Sequence, residues 1–181
     1  MLAGCSKDEE IKDTAPVVTY EDDNAPVHAA THKVWVFGDQ TWSDAIQIPE
    51  CNKESFENSE TKPDCRNYTQ GDTTWYYYNW AYMDAHKDEM CPSPWRIPSK
   101  ADFVSLIANT DAATLSAEWG YGGFAYGSSM SVVDLGAYYW SSTVYNSDPN
   151  YYYVYYLYYN SDNLSIITTF RESGFQIRCI R

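Results

Sequence analysis

Basic residues are scarce in this chain. Its 181 residues hold 12 Lys and Arg against 25 Asp and Glu, for a net charge of −13. Non-specific nucleic-acid binding rests on cations that neutralise phosphates, so that class of partner is excluded. Histidine is nearly absent, at three residues, and no Ser-His-Asp or Cys-His arrangement can be assembled from the motifs present. No apolar stretch is long enough to span a bilayer. No C-x₂-C pair occurs among the five cysteines, which removes the usual ligand spacing of a structural zinc site. His28 and His32 stand four apart, but next to Pro26 in a polar segment, which makes a poor metal site. One further absence is local. Between residues 141 and 171 there is no Lys, Glu, Gln, Met or Trp, although these types are common elsewhere in the chain.

What fills that stretch is tyrosine. Ten of the eighteen tyrosines lie between residues 138 and 159, among Asn, Ser, Asp, Thr and small apolar residues. Rigid amphipathic rings mixed with adaptable hydrogen-bonding groups are the composition of a binding surface, because a Tyr brings contact area with few rotors to freeze. The same run also reads as a β-strand, since aromatics favour strands. In residues 153–159 a period of two puts Tyr153, Tyr155, Leu157 and Tyr159 on one face, and Leu157 marks it as the core face. Val154, Tyr156 and Tyr158 fall on the other, where Tyr156 and Tyr158 are expected to point outward. The five missing residue types are those that a codon ending in C cannot encode. Asn codons of the form AAC with randomised adenines would yield the vocabulary found here.

The five cysteines are Cys5, Cys51, Cys65, Cys91 and Cys179. Residues 2–5 read L-A-G-C, which looks like a bacterial lipobox in which Cys5 becomes the lipidated first residue of the mature protein. The charged and apolar parts of such a signal are missing, so residues 1–5 read as a truncated signal. The following Ser6-Lys7-Asp8-Glu9-Glu10 resembles a surface-export signal of lipoproteins in Bacteroides-like bacteria. The expectation is an exported protein, lipid-anchored at the outer membrane and displayed at the cell surface. The other four cysteines can pair in three ways. Cys51–Cys65 would clip a polar loop, and Cys91–Cys179 would tie the last strand to the middle of the chain, as an oxidising compartment allows.

In order, residues 6–30 are acidic, contain Pro, and read as a flexible tether. Residues 33–42 predict a strand, a Gly38-Asp39 turn and a second strand. Residues 49–70 read as a disulfide-closed loop. Residues 75–82 are aromatic and fit either strand or helix. Ser99 opens a helix with capping-box spacing to Asp102 and an apolar face of Phe103, Leu106 and Ile107. Residues 111–119 predict a second short helix, and residues 120–127 a loop. Strands are expected at 138–144, 151–159 and 175–180, with turns at 146–149 and 160–163.

Five blocks now carry a resemblance. Val34-Trp-Val-Phe-Gly-Asp-Gln-Thr-Trp42, Tyr78-Asn-Trp-Ala81, Cys91-Pro-Ser-Pro-Trp-Arg-Ile-Pro-Ser99, Gly136-Ala-Tyr-Tyr-Trp-Ser-Ser-Thr143 and Gly174-Phe-Gln-Ile-Arg-Cys-Ile180, in that order, resemble the Fibrobacter succinogenes major paralogous domain over residues 31–181. The resemblance implies an α+β, C-type-lectin-like domain, also similar to formylglycine-generating enzymes, with two helices packed on small antiparallel sheets and the chain ends close together. A narrower resemblance is to the variable proteins of diversity-generating retroelements, whose randomised segment lies near the C-terminus before a constant motif like Gly174-Phe175…Arg178-Cys179. It implies a variable region over about 138–173, with Trp140-Ser-Ser-Thr143 and Asn160-Ser-Asp-Asn163 as scaffold. The ligand-binding positions it implies are Tyr145, Asn146, Asp148, Asn150, Tyr151, Tyr153, Tyr156, Tyr158, Ser165, Ile167, Thr168, Thr169, Phe170, Glu172 and Ser173. Glu172 departs from the pattern, because no codon ending in C encodes it.

The function expected is therefore non-enzymatic capture of a protein or glycan on another cell, a phage or a host surface, without a cofactor or a metal. A fixed-specificity glycan-binding adhesin is the alternative, since aromatic rings stack on sugar faces. Asp148, Asp162 and Asn163 could serve calcium but sit in plain turn sequences. An oxidase of the formylglycine-generating type needs a reactive thiol, and once Cys5 is lipidated the remaining cysteines pair off evenly. His86, the one histidine well inside the domain, is ringed by Asp84, Asp88 and Glu89 and reads as a solvated face.

Overall fold

The computed structural model describes residues 17–145 and 153–181, with only the backbone described at Tyr153 and Val154. The proposed lipidation site, Cys5, lies outside the described residues, as do Asn146, Asp148, Asn150 and Tyr151. Among the described residues the fold is α+β, with antiparallel sheets and three helices rather than the two expected.

The chain opens with β1 (Val18–Glu21), β2 (Lys33–Phe37) and β3 (Gln40–Ala45). Gly38, at a φ of 63°, and Asp39 make the turn between the second and third strands, as their sequence predicts. The expected tether therefore ends sooner than residue 30. Residues 18–21 pair along the edge of β2, and the loop behind them is fastened by Asp22 N–H to His32 O at 2.9 Å and by Trp95 Nε1–H to Asn24 O at 2.6 Å. Its low apolar content hid this, because an edge strand gains its stability from backbone pairing and needs few buried side chains.

The hairpin β4 (Cys65–Gln70) and β5 (Thr73–Tyr78) follows, so the second half of the expected loop is a strand. Next come α1 (Trp80–Met90), α2 (Lys100–Asn109) and α3 (Ala112–Trp119). The first helix buries only Trp80, Met83 and Met90, a stripe too thin for periodicity to show. Asn79 starts it. Its side-chain oxygen accepts from Tyr82 N–H at 2.9 Å, while its amide donates to Ser59 O and Lys62 O and so pins the preceding loop. Ser99 and Asp102 close the reciprocal capping box on α2, and Asp111 caps α3; each such cap contributes about 1 kcal/mol.

The chain continues through the short pair β6 (Phe124–Tyr126) and β7 (Ser129–Ser131). It ends with β8 (Ala137–Val144), β9 (Tyr153–Tyr159), β10 (Leu164–Phe170) and β11 (Arg178–Ile180). The last strand is shorter than the alternation of residues 175–180 predicts, because residues 174–176 are used otherwise. Gly174 bridges Ala125, Phe175 bridges Tyr78 and Gln176 bridges Tyr139, so three successive residues stitch three sheets together. The last strand then pairs with β3 at the edge of the sheet β1-β2-β3-β11 opposite to β1, and the Arg181 side chain after it reaches back to donate to the Tyr20 hydroxyl of β1 at 3.2 Å. Arg181 there forms an ion pair with Asp22.

The two disulfides are Cys51–Cys65 and Cys91–Cys179, the pairs favoured from sequence. One core cluster gathers around Trp140, Phe175 and these disulfides; another lies between α2, α3 and the sheet β10-β9-β8, around Trp42, Phe103, Trp119 and Leu157. Among the described residues no helix is long and apolar enough to cross a membrane.

Candidate ligand-binding surface

The three-stranded sheet β10-β9-β8 has two faces of different character. Its rows run Ala137–Tyr159–Leu164 and Tyr139–Leu157–Ile166 on the side that meets α2 and α3. Leu157 and Tyr159 are fully buried there, as the period of two requires. The alternate rows, Tyr138–Tyr158–Ser165 and Trp140–Tyr156–Ile167, stand on the other side, and Thr169 extends the second face along β10.

Exposure on this second face rises from one edge to the other. Trp140 is 0% exposed, Tyr156 is half-buried, and Ile167 is 40% exposed. The β8 edge lies under Phe175, whose ring centroid is 4.2 Å from that of Trp140 and 4.7 Å from that of Tyr156. Trp140 donates its indole N–H to Tyr78 O at 2.6 Å. Moving toward β10 the covering ends. Tyr138 stacks on Tyr156 at 5.8 Å and meets Tyr158 at 5.0 Å, and the Tyr158 hydroxyl accepts from the Asn160 amide at 2.7 Å. Tyr156 thus leans on the core as well as facing out, which revises the expectation that it points simply outward. An aromatic pair of this kind is worth about 0.5–1.5 kcal/mol beyond its buried area.

The face carries phenols, hydroxyls and aliphatic groups and no acid or amine at these positions. Burial, helped by the neighbouring Tyr158 and Tyr156, pushes the Tyr138 phenol up to about 12, and burial followed by Tyr158 raises that of Tyr156. Both stay neutral near pH 7 and can donate and accept. Such a surface can bind by ring stacking and hydrogen bonding.

Of the positions implied by the resemblance, the fold brings Tyr156, Tyr158, Ser165, Ile167 and Thr169 together on this face. Thr168 and Phe170 fall on the opposite side of β10, near its end, by the same alternation. Thr168 pairs with Tyr155, whose ring lies 4.2 Å from the Lys100 ammonium and meets Tyr145 edge-on at 5.5 Å. Tyr145 is exposed at the end of β8. Glu172 and Ser173 lie in the turn after β10, and Glu172 accepts from the Tyr126 hydroxyl at 3.0 Å. Tyr153 opens β9 opposite Phe170. Sequence reasoning missed Tyr138, which serves both the core and the face; its position two residues before the buried Trp140, with the same parity, was the available signal.

The competing chemistries can be placed too. Asn160 Oδ1 accepts from Asp162 N–H at 3.0 Å and from Asn163 N–H at 2.8 Å, so these residues build a turn. All four cysteines among the described residues are in disulfides. His86 lies on α1, stacked on Tyr82 at 4.3 Å, with Nδ1 3.3 Å from Glu89. Among the described residues no group of three His, Cys, Asp or Glu converges as a metal site. No family model matches the chain, and no curated protein or solved structure matches it.

Proposed function

We propose that this chain is a non-enzymatic binding protein that captures its ligand on the second face of the β10-β9-β8 sheet. The scaffold is of the C-type-lectin-like kind, and the face is diversified as in the variable proteins of diversity-generating retroelements. The observation that carries the reading is the alternation along β9 and β10. Leu157, Tyr159, Leu164 and Ile166 pack with the core, whereas Tyr156, Tyr158, Ser165, Ile167 and Thr169 occupy the other side. Residues can vary freely only where they do not hold the core, and five of the implied positions fall on this side, of which Tyr156 also leans on the core. The tyrosines act as rigid anchors and Ser and Thr as adaptable hydrogen-bonding groups. With Cys5 lipidated, residues 6–16 would carry the domain off an outer-membrane surface toward a protein or glycan on another cell, a phage or a host.

The test lies in the gene. The codons for residues 141–173 should end in C at the varied positions other than Glu172. A near-copy of the segment, differing only at adenines, should lie beside a reverse-transcriptase gene. Ordinary codons with no near-copy would remove the diversification. A glycan array would then decide whether the same face is a fixed sugar-binding surface.

A further inference from the structure

A second site lies at the free edge of the same sheet, and the case for it rests on the main chain, independently of the proposal above. In the sheet β10-β9-β8, β10 is an outer strand. Asn160 N–H donates to Asn163 O at 3.0 Å, so residues 160 and 163 form a hydrogen-bonded pair of the hairpin. Bonded and non-bonded pairs alternate along an antiparallel ladder, so Ser165–Tyr158, Ile167–Tyr156 and Thr169–Val154 bond within the sheet. Leu164, Ile166 and Thr168 fall between them and turn their N–H and C=O groups away from β9. The far edge obeys the same alternation, since Trp140 N–H and Tyr138 O turn outward to Gln176. Among the described residues no hydrogen bond reaches the outward groups of Leu164, Ile166 and Thr168. None of the seven residues of β10 is buried.

An open edge is a template for another strand, and proteins blunt it with short length, charge, Pro or a bulge. The edge strand β1 is blunted in this way, at four residues with Glu21 among them. β10 is seven residues long, Leu-Ser-Ile-Ile-Thr-Thr-Phe, without charge, Pro or Gly, and it pairs with β9 without a register shift. Beside its start lies a cavity of about 410 Å³, lined among others by Leu164, Ile107, Ala112, Asp111 and Asp162. An antiparallel strand added to β10 sets one residue opposite Leu164, and opposite residues share a face. That side chain would stand beside Leu164, on the side that meets α2 and α3. Aliphatic groups and carboxylates together suit Lys or Arg, whose stem packs on apolar surface while its head reaches an acid. Val104, three residues before Ile107 on α2, is 53% exposed and offers apolar contact on the same helix face.

We propose that β10 accepts an antiparallel strand from a protein partner, with a Lys or Arg of that strand opposite Leu164 in the cavity. Main-chain hydrogen bonds at Leu164, Ile166 and Thr168 hold the strand, and its alternate side chains select it. A second copy of this chain fits less well. Two copies of β10 paired about Ile167 set Phe170 opposite Leu164, which brings a ring where the cavity suits a cation. The net charge of −13 on each copy also repels the other and attracts a basic partner.

The test uses the ¹⁵N-labelled chain and the peptide acetyl-Thr-Val-Thr-Val-Thr-Lys-Thr-amide, which places Lys opposite Leu164 and Val opposite Ile166 and Thr168. In the free chain the amides of Ile166 and Thr168 should exchange with solvent faster than those of Ser165 and Ile167, which β9 holds. The peptide should shift the Ile166 and Thr168 resonances saturably and slow their exchange. Glu in place of the peptide's Lys should weaken binding at least about fivefold, and N-methylation of both Val residues should abolish it. Thr168→Pro removes one outward N–H, a change an edge strand tolerates, and should abolish binding by a folded chain. Asp162 enters its turn through its N–H, so Asp162→Asn keeps the turn and should weaken only the Lys peptide. Slow exchange at Ile166 and Thr168 in the free chain overturns the proposal, because the edge is then already covered; if that protection fades on dilution, the cover is a second copy. It is also overturned if the Lys peptide leaves both resonances in place, or if the Glu or N-methylated peptide binds as well.

Discussion

Tyr78 and Phe175 exchange both of their backbone hydrogen bonds, Tyr78 N–H to Phe175 O at 3.0 Å and Phe175 N–H to Tyr78 O at 3.1 Å. The same Tyr78 carbonyl accepts the Trp140 indole, and its hydroxyl donates to Ile46 O while accepting from Ile48 N–H. One tyrosine thus ties four segments of chain. The second face of the β10-β9-β8 sheet rests on that junction through Phe175. A surface whose outer residues are free to change needs an inner layer that is over-determined, and this junction supplies it.

The first prediction separates the two layers. Phe175→Ala removes the ring under Trp140, Tyr138 and Tyr156 and should cost about 3–5 kcal/mol. Ile167→Ala, on the same face but 40% exposed, should cost under about 1 kcal/mol. Urea unfolding of both variants measures the difference. Equal losses would mean that Ile167 belongs to the core, and the proposed face would lose its outer half.

A second prediction concerns the tyrosines. Tyr158→Ala combined with Ile167→Ala should leave the near-ultraviolet circular dichroism of the domain in place. For a ligand selected by panning this chain against candidate surfaces, binding should fall at least about tenfold, the loss of one aromatic anchor. Tyr156→Ala should instead lower stability by roughly 1–3 kcal/mol, because its ring packs on Phe175 and Tyr138, whereas Tyr156→Phe keeps that packing. Undiminished binding by the Tyr158 and Ile167 double variant would move the ligand off this face.

How much of this was legible in the sequence depended on whether the information was local. The Gly38-Asp39 turn, the Ser99 cap and the alternation at Leu157 and Tyr159 are set by near neighbours, and each stands in the fold where the sequence puts it. The first helix was hidden because it buries only Trp80, Met83 and Met90, too thin a stripe for periodicity to show, although its Asn79 cap to Tyr82 is as local as that of Ser99. Edge strand β1 was hidden because its partner is a backbone. For the site, alternation told which tyrosines share a face but not that Phe175 would cover half of it. That covering follows from residues 174–176 bridging three sheets, a long-range arrangement that no local pattern encodes.

The disulfides give a third prediction. Cys91–Cys179 spans 88 residues and Cys51–Cys65 spans 14. Constraint of the unfolded chain grows with the logarithm of loop length, so removing the first should cost about 4–5 kcal/mol and removing the second about 3 kcal/mol. Double Cys→Ala variants compared by thermal unfolding check the order. A larger loss from the shorter loop would mean that native packing around Cys51, rather than loop closure, dominates its contribution.

Alkaline pH should unfold the domain through its tyrosines. Burial raises the phenols of Tyr77, Tyr78 and Tyr159 well above their usual value, and that of Tyr138 to about 12, with Tyr158 and Tyr156 adding to the last. In the unfolded chain each ionises near 10. The folded state therefore holds more protons than the unfolded state above that pH, and stability falls as pH rises. The contribution of these groups is fully present below about pH 10 and is lost as pH climbs toward their folded values. Absorbance at 295 nm should accordingly show the exposed tyrosines ionising first, followed by a steep step that coincides with loss of circular dichroism. Smooth ionisation of all eighteen tyrosines near pH 10 in a chain that stays folded would mean that these rings are not buried as described, and the rigid layer under the binding face would go with them.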